Sequence, residues 1–317
     1  MVTPFYQLHF GKFDLFRKIE IFVKREDLYP MCGGGNKVRK NENIFATIAD
    51  NNCNAIVTNG GMQSNHARVV ALMAAARGWR CRLILHGDPR EIQYPEGNLL
   101  LMVLAGAEII ATQPDRIPIE IESSMNELRK EGFRPFQIPG GGHCLEGAIS
   151  YLEVVNEIGV QIEECEPEFI ILASGTGTTQ AGIQAGVDQK GWKTRVIGIS
   201  VARKNPRGSK ITQDAYHELC KHLRVPIPSG QNEFRDDWVG EGYGIPNDNI
   251  LETIRKVACD TGLILDPTYT GKAFYGLESM VRSGEIPSQS HVVFVHTGGL
   301  INLCASHRLF RNNNGLL

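Results

Sequence analysis

Short apolar runs alternate along this chain with longer amphipathic ones, and glycine-rich turns sit where many of the runs end. This alternation constrains the fold more than any other feature. A strand, a crossover helix and a second strand make a parallel sheet that must be covered on both faces. Ala55–Thr58 (AIVT) reads as a strand, and Ser64–Gly78 as a helix with Val69, Val70, Leu72 and Met73 at helical spacing. Cys81–His86 (CRLILH) is a second strand and Gly97–Ala105 a second helix. Glu108–Ala111 is a third strand, followed by an amphipathic stretch at Pro118–Glu131, and Phe136–Ile138 begins a fourth strand. Further strands are expected at Phe169–Leu172 (FIIL), Arg195–Ile199 (RVIGI) and His291–Val295 (HVVFV). The predicted class is α/β, and the units before and after about residue 150 suffice for two sheets. Ligands in such folds gather at the carboxyl ends of strands, where the glycine-rich loops lie.

The 317 residues supply enough chain for a large core. The net charge of −2 carries no basic excess, so neither nucleic acid nor an anionic membrane surface is an expected partner. No signal peptide is expected in MVTPFYQLHFGKF, and no uninterrupted apolar run approaches the roughly 18 residues of a membrane span. Eight cysteines without a C-x-x-C pair suit reduced thiols in a cytoplasmic protein better than a zinc site or a disulfide framework. The tail Arg311–Leu317 (RNNNGLL) reads as frayed and carries no identifiable chemistry.

Several loops hold residues with chemical potential. Lys24-Arg25-Glu26-Asp27 precedes Gly33-Gly34-Gly35-Asn36-Lys37-Val38-Arg39-Lys40. A triple glycine lets backbone approach a ligand, and a lysine shielded at a loop–helix junction becomes a nucleophile toward aldehydes. The alternative is a solvated basic cluster on a helix start. In Gly60-Gly61-Met62-Gln63-Ser64-Asn65-His66, Ser64 fits a helix N-cap whose free N–H groups suit a carboxylate, although a plain capped helix looks the same. Ser174-Gly175-Thr176-Gly177-Thr178-Thr179-Gln180 can cradle a phosphate, or be only a threonine-rich turn. It is neither a Walker loop nor a G-x-G-x-x-G signature. Tyr243, in EGYGIPN, and Tyr269, in DPTYTGK, are loop aromatics that line pockets or simply pack. His296-Thr297-Gly298-Gly299 ends the last strand.

Taken together, KRED, GGGNK, GGMQSNHAR, SGTGTTQAG, GYGIPN, DPTYTGK and HTGG resemble the family of D-cysteine desulfhydrases and 1-aminocyclopropane-1-carboxylate (ACC) deaminases. The resemblance runs from about residue 23 to 305, with the motifs in the family's order. It implies a tryptophan-synthase-like fold (fold type II): two domains, each an open, mostly parallel twisted sheet flanked by helices, with pyridoxal 5'-phosphate in the cleft between them. Residues 1–45 plus 155–317 would form the larger domain and 46–154 the smaller. A homodimer acting on a small amino acid is the implied assembly.

The resemblance also implies roles. Lys37 forms the Schiff base and then serves as general base, and Asn65 faces the phenolic oxygen of the cofactor. Gly175, Thr176, Gly177, Thr178 and Thr179 hold its phosphate, with Lys40 adding charge. Ser64 holds the substrate carboxylate, with Asn65 and His66 beside it, and Tyr243 and Tyr269 border the substrate. Thr270 is implied to face the pyridine nitrogen, where deaminases resemble one another in carrying glutamate, and Thr297 stands where they tend to show leucine. A hydroxyl donating to a neutral ring nitrogen gives a weaker electron sink than a carboxylate does, which favours β-elimination. The phosphate loop, in contrast, looks more like the deaminase version. The implied activity is release of pyruvate, ammonia and hydrogen sulfide from D-cysteine; the alternatives are ACC deamination, elimination or replacement on another β-substituted amino acid, and a non-catalytic cofactor-binding protein.

Overall fold

A computed structural model describes residues 1–163, 165–226 and 232–310, so the tail at 311–317 lies outside the described residues. The chain begins with β1 (Phe5–Leu8), β2 (Glu20–Lys24) and helix α1 (Asn36–Asp50). The alternating region follows as β3 (Ala55–Gly61), α2 (Asn65–Ala75), β4 (Arg80–His86), α3 (Gly97–Leu104), β5 (Glu108–Thr112), α4 (Ile117–Lys130) and β6 (Pro135–Ile138). The long helix α5 (Leu145–Gln161) leads to β7 (Phe169–Ser174), α6 (Thr178–Lys190), β8 (Arg195–Ser200), α7 (Arg207–Leu223) and β9 (Glu233–Arg235). The chain then forms α8 (Asp248–Thr261), α9 (Thr270–Ser283), β10 (His291–Val295) and α10 (Leu300–Ala305).

Two sheets result. The smaller has the order β5-β4-β3-β6 and is parallel throughout. The larger has the order β1-β2-β10-β7-β8-β9 and is parallel except for β1, which runs antiparallel to β2 at the edge. Both faces of the larger sheet are buried, and β7 shows how. Ile171 and Ala173 join the core under α8 and α9, while Ile170 and Leu172 point the other way and pack with α5 and α6. A strand buried on both faces is apolar at every position rather than at alternate ones, which is why FIIL and HVVFV are unbroken runs. Each fully buried Leu, Ile or Val contributes about 1.5–3 kcal/mol before entropy is counted.

The expected domain boundaries after residues 45 and 154 fall inside helices, within α1 and α5. The physical reason lies in α1. Its Ile44, Phe45 and Ile48 pack with α2 and α3 in the core of the smaller sheet, whereas its first turn is tied to the larger one. Arg39 of α1 makes a bidentate pair with Glu26, just beyond β2, through Nε–Oε2 and Nη2–Oε1 contacts of 2.8 Å each. Glu26 is fully buried and accepts further bonds from Tyr151 Oη (2.8 Å) and Thr3 Oγ1 (2.7 Å). Arg39 also meets Glu157 of α5 at 2.7 Å, and Lys24 meets the same carboxylate at 2.6 Å. Thus Lys24 and Glu26 of the KRED motif, together with Arg25 paired to Asp27, hold the frame.

Removing one member of a buried pair strands the other's charge, at about 3–5 kcal/mol. Arg39→Ala should therefore lower unfolding stability by roughly that amount in a urea titration. A midpoint equal to that of the unmodified protein would show that the network carries no net stability.

Candidate active site

The carboxyl ends of β3, β7, β8 and β10 converge between the two sheets on a cavity with an inner and an outer part. Asn36, Lys37, Lys40, Asn65, residues 173–177, Thr179, Tyr269, Thr297 and Gly298 line the inner part. Lys37, Gly175, Thr176 and Tyr269 also line the outer part, with Ser64, His66, Gly140, Gly141 and Tyr243.

Lys37 is the second residue of α1. The helix starts without a side-chain cap, at Gly35, and the N–H of Asn36 is instead satisfied by the carbonyl of Thr297 at 2.9 Å. Gly34 has φ +72° and any Cβ there would lie 2.0 Å from the Asp27 carbonyl oxygen, so only glycine fits this turn. Burial lowers the Lys37 amine to about 8, and Lys40, one turn on, is pushed well below the ordinary range by burial and then by the charge of Lys37. No Asp or Glu is among the residues lining either part of the cavity.

The threonine-rich loop opens α6. Gly177, at φ +80° and packed against Thr212, turns the chain so that the first N–H groups of the helix have no intrahelical acceptor. Asn36 Nδ2 donates to Thr179 Oγ1 (3.2 Å), and His143 Nδ1 lies 2.8 Å from Thr178 Oγ1. Ser174 Oγ is buried with no hydrogen-bond partner among the described residues. Two amines without an acid, an unsatisfied hydroxyl and a helix start with open N–H groups fit a phosphate monoester whose aldehyde reaches Lys37.

Ser64 caps α2, accepting from Ala67 N–H at 3.2 Å, and the N–H groups of Asn65 and His66 are the open donors of that terminus. Asn65 Oδ1 accepts from Arg68 Nη1 and from Asn98 Nδ2, both at 3.0 Å, which turns its amide NH2 away from them. Arg68 also donates to the Gly34 carbonyl (2.7 Å), so one buried guanidinium fixes both the asparagine and the glycine loop.

The side chains of two expected site residues, His66 and Thr270, have partners within the chain. The ring of His66 is engaged on both nitrogens, by Asn41 Nδ2 (3.3 Å) and Thr58 Oγ1 (3.1 Å), and burial holds its pKa well below the ordinary value. It braces α1 against β3, and only its backbone N–H is open to a carboxylate. Thr270 is fully buried; its hydroxyl accepts from Asp266 N–H and donates to Asp266 Oδ1, each at 2.8 Å. In this arrangement its proton is directed to Asp266. Asp266 in turn accepts from the backbone N–H groups of Thr268, Tyr269 and Thr270, while burial raises its pKa against those bonds. Thr297 lines the inner cavity, and Tyr243 and Tyr269 share a hydrogen bond between their hydroxyls, with rings at 78°. Arg68 and Asp266 hold residues of their own motifs, GGMQSNHAR and DPTYTGK, whereas Asn98 and His143 act on motifs distant from their own and carried no local signal in the sequence.

An amine with a pKa of about 8 is nucleophilic at a lower pH than a solvated lysine. In the apoprotein, reductive methylation of Lys37, followed by peptide mass spectrometry, should rise through pH 8 and level off above it. A rate still climbing beyond pH 10 would mean the amine is solvated.

A model of pyridoxal-phosphate dependent enzymes matches residues 2–298. The chain is 31% identical to a crystal structure described as an ACC deaminase homologue, covering 98% of this chain and 93% of that one with a TM-score of 0.88. The fold is shared more distantly with a hydrogen sulfide-producing enzyme from Fusobacterium nucleatum (16% identity, TM-score 0.65, 95% and 96% of the two chains). It is shared also with the processed form of threonine deaminase isoform 2 from Solanum lycopersicum (16%, 0.64, 97% and 87%). With the buried lysine, the phosphate cradle and a family match spanning nearly its whole length, this chain belongs to the pyridoxal-phosphate dependent enzymes.

Proposed function

We propose that this enzyme catalyses β-elimination from a small β-substituted amino acid, D-cysteine being the first substrate to test. The observation that carries this reading is the absence of any Asp or Glu among the residues lining the cavity, next to a threonine at 270 whose proton is held by Asp266. An environment without a lining acid does little to keep a pyridine nitrogen protonated. Such a site suits a reaction in which a good leaving group departs soon after the α-proton is taken, and suits poorly the opening of a ring that has no α-proton.

Lys37 and Lys40, the N–H groups at the start of α6 and the NH2 of Asn65 are the residues that would hold pyridoxal phosphate, through its aldehyde, phosphate and phenolic oxygen. When bound, the cofactor supplies a carbonyl for the substrate amine and an electron sink for Cα. The remaining work falls to side chains. Ser64 Oγ and the N–H groups of Asn65 and His66 hold the carboxylate. The Lys37 amine takes the Cα proton as general base. The Tyr243–Tyr269 pair keeps one hydroxyl proton free, because a single bond between two hydroxyls uses only one, and that proton serves the departing group. The Cβ substituent leaves with the bonding electrons, and the released aminoacrylate is hydrolysed to pyruvate and ammonium.

A second reading, ACC deamination, is favoured by the 31% identity to the ACC deaminase homologue. Pyruvate and sulfide from D-cysteine, measured against 2-oxobutyrate from ACC, separate the two; faster 2-oxobutyrate release overturns the elimination reading. Borohydride reduction of the holoenzyme should tag Lys37, and a tag on Lys40 would reassign the Schiff base. Gly175→Asp adds a carboxylate where a Cβ would meet only Val201 Cγ2, at 3.5 Å. The fold should tolerate it while cofactor affinity drops by about tenfold or more, since repulsion replaces charge-assisted bonds. Undiminished affinity would mean the loop is only a turn.

A further inference from the structure

The outer cavity carries two cations that none of the steps above uses. Arg203 lies just past the end of β8 and Arg207 is the first residue of α7; both line the cavity, as does His86 at the end of β4. Arg203 is partly buried and donates to the carbonyl of Gly175. Arg207 is exposed and makes no hydrogen bond or ion pair among the described residues. Elsewhere several buried or half-buried arginines face acids: Arg39 faces Glu26 and Glu157, Arg82 faces Glu108, and Arg235 faces Glu285, whereas Arg68 is satisfied by neutral oxygens. Burial and the like charge of Arg207 both lower the pKa of Arg203. Two cations side by side on a cavity wall without an acid are an unfavourable arrangement unless an anion sits between them.

We propose that Arg203 and Arg207 form a subsite for a second anionic group on the substrate, so that the amino acid taken by this enzyme carries a sulfonate or phosphate on Cβ. This rests on the elimination reading, which it narrows. Ser64 and the start of α2 hold the α-carboxylate at one side of Lys37, and the arginine pair holds the second anion at another, with the reacting carbons between. The step balances without a further reagent. Lys37 takes the Cα proton, the Cβ–S or Cβ–O bond breaks with its electron pair on the leaving sulfite or phosphate, and water converts aminoacrylate to pyruvate and ammonium.

The test uses the holoenzyme and the ratio of kcat/KM for a charged substrate to that for β-chloroalanine, which has a good leaving group and no second charge. O-phosphoserine and 3-sulfoalanine, each as D and L forms, are the charged substrates, and they distinguish phosphate from sulfonate. The ratio should exceed one, should fall about tenfold in Arg207→Gln as one charge-assisted bond is lost, and should fall further when Arg203→Gln is added. Arg207 holds no other part of the described chain, so its variant is the one that keeps the fold. Aspartate, which has no leaving group, gives a second readout by calorimetry: it should bind more tightly than alanine, and Arg207→Gln should erase the difference. A ratio that does not move in the variants overturns the proposal. So does weakened cofactor binding in Arg203→Gln at an unchanged ratio, which would put that guanidinium on the cofactor phosphate. If no substrate yields pyruvate, the elimination reading fails by itself, and the comparison of aspartate with alanine still decides the subsite.

Discussion

The buried pair between Glu26 and Arg39 is the interaction on which the site depends. Lys37 lies two residues before Arg39 in the first turn of α1, a helix whose apolar face belongs to the smaller sheet. Without a tether, that turn would follow the smaller sheet alone, and the amine would have no fixed distance to the phosphate cradle at the end of β7. The bidentate bond fixes it to the end of β2, and Tyr151, Thr3 and Glu157 close the remaining valences so that little buried charge is left uncompensated. Geometry at the Lys37 amine is thus set by groups that do not line the cavity.

The same logic recurs at a smaller scale behind the cavity wall. Arg68 and Asn98 hold Asn65, Asn41 and Thr58 hold His66, and Asp266 holds the turn at Thr268–Thr270. Each clamp satisfies a polar group that burial would otherwise penalise, and each points a donor or a backbone N–H toward the open space. These polar atoms of the wall have partners on the far side, while the amines of Lys37 and Lys40 and the guanidinium groups of Arg203 and Arg207 face the cavity without an acid partner.

How much of this was legible in the sequence follows from which partners are local. Ser64 caps the helix it precedes, so its role is written within four residues. The strands at 55, 81, 169, 195 and 291 are long apolar runs, and period alone reveals them; β1 (FYQL) and β9 (EFR) are short edge strands with exposed positions and leave almost no pattern. His66 and Thr270 sit in motifs that resemble ligand sites, yet their side chains turn to Asn41, Thr58 and Asp266, partners that no spacing rule connects to a pocket. The KRED charges carry no sign of burial in their own sequence, yet Lys24 and Glu26 are fully buried because their counter-charges arrive from α1 and α5. The expected boundaries at 45 and 154 fall within helices, because a helix that serves two cores has no break in its own pattern.

The strand order of the larger sheet has a consequence for the order of events during synthesis. β2 pairs with β10, so a strand made within the first 24 residues waits for one that ends at residue 295. The smaller sheet is built from the continuous segment 55–138, and its parallel pairs close over short stretches of chain. Loop closure favours that local unit early and delays the long-range pairing. A nascent chain released before β10 emerges would carry a formed smaller sheet with α1 packed on it, while β2 still lacked its parallel partner. The Lys37 amine is therefore encoded near the beginning of the chain and put in its final place only near the end of translation.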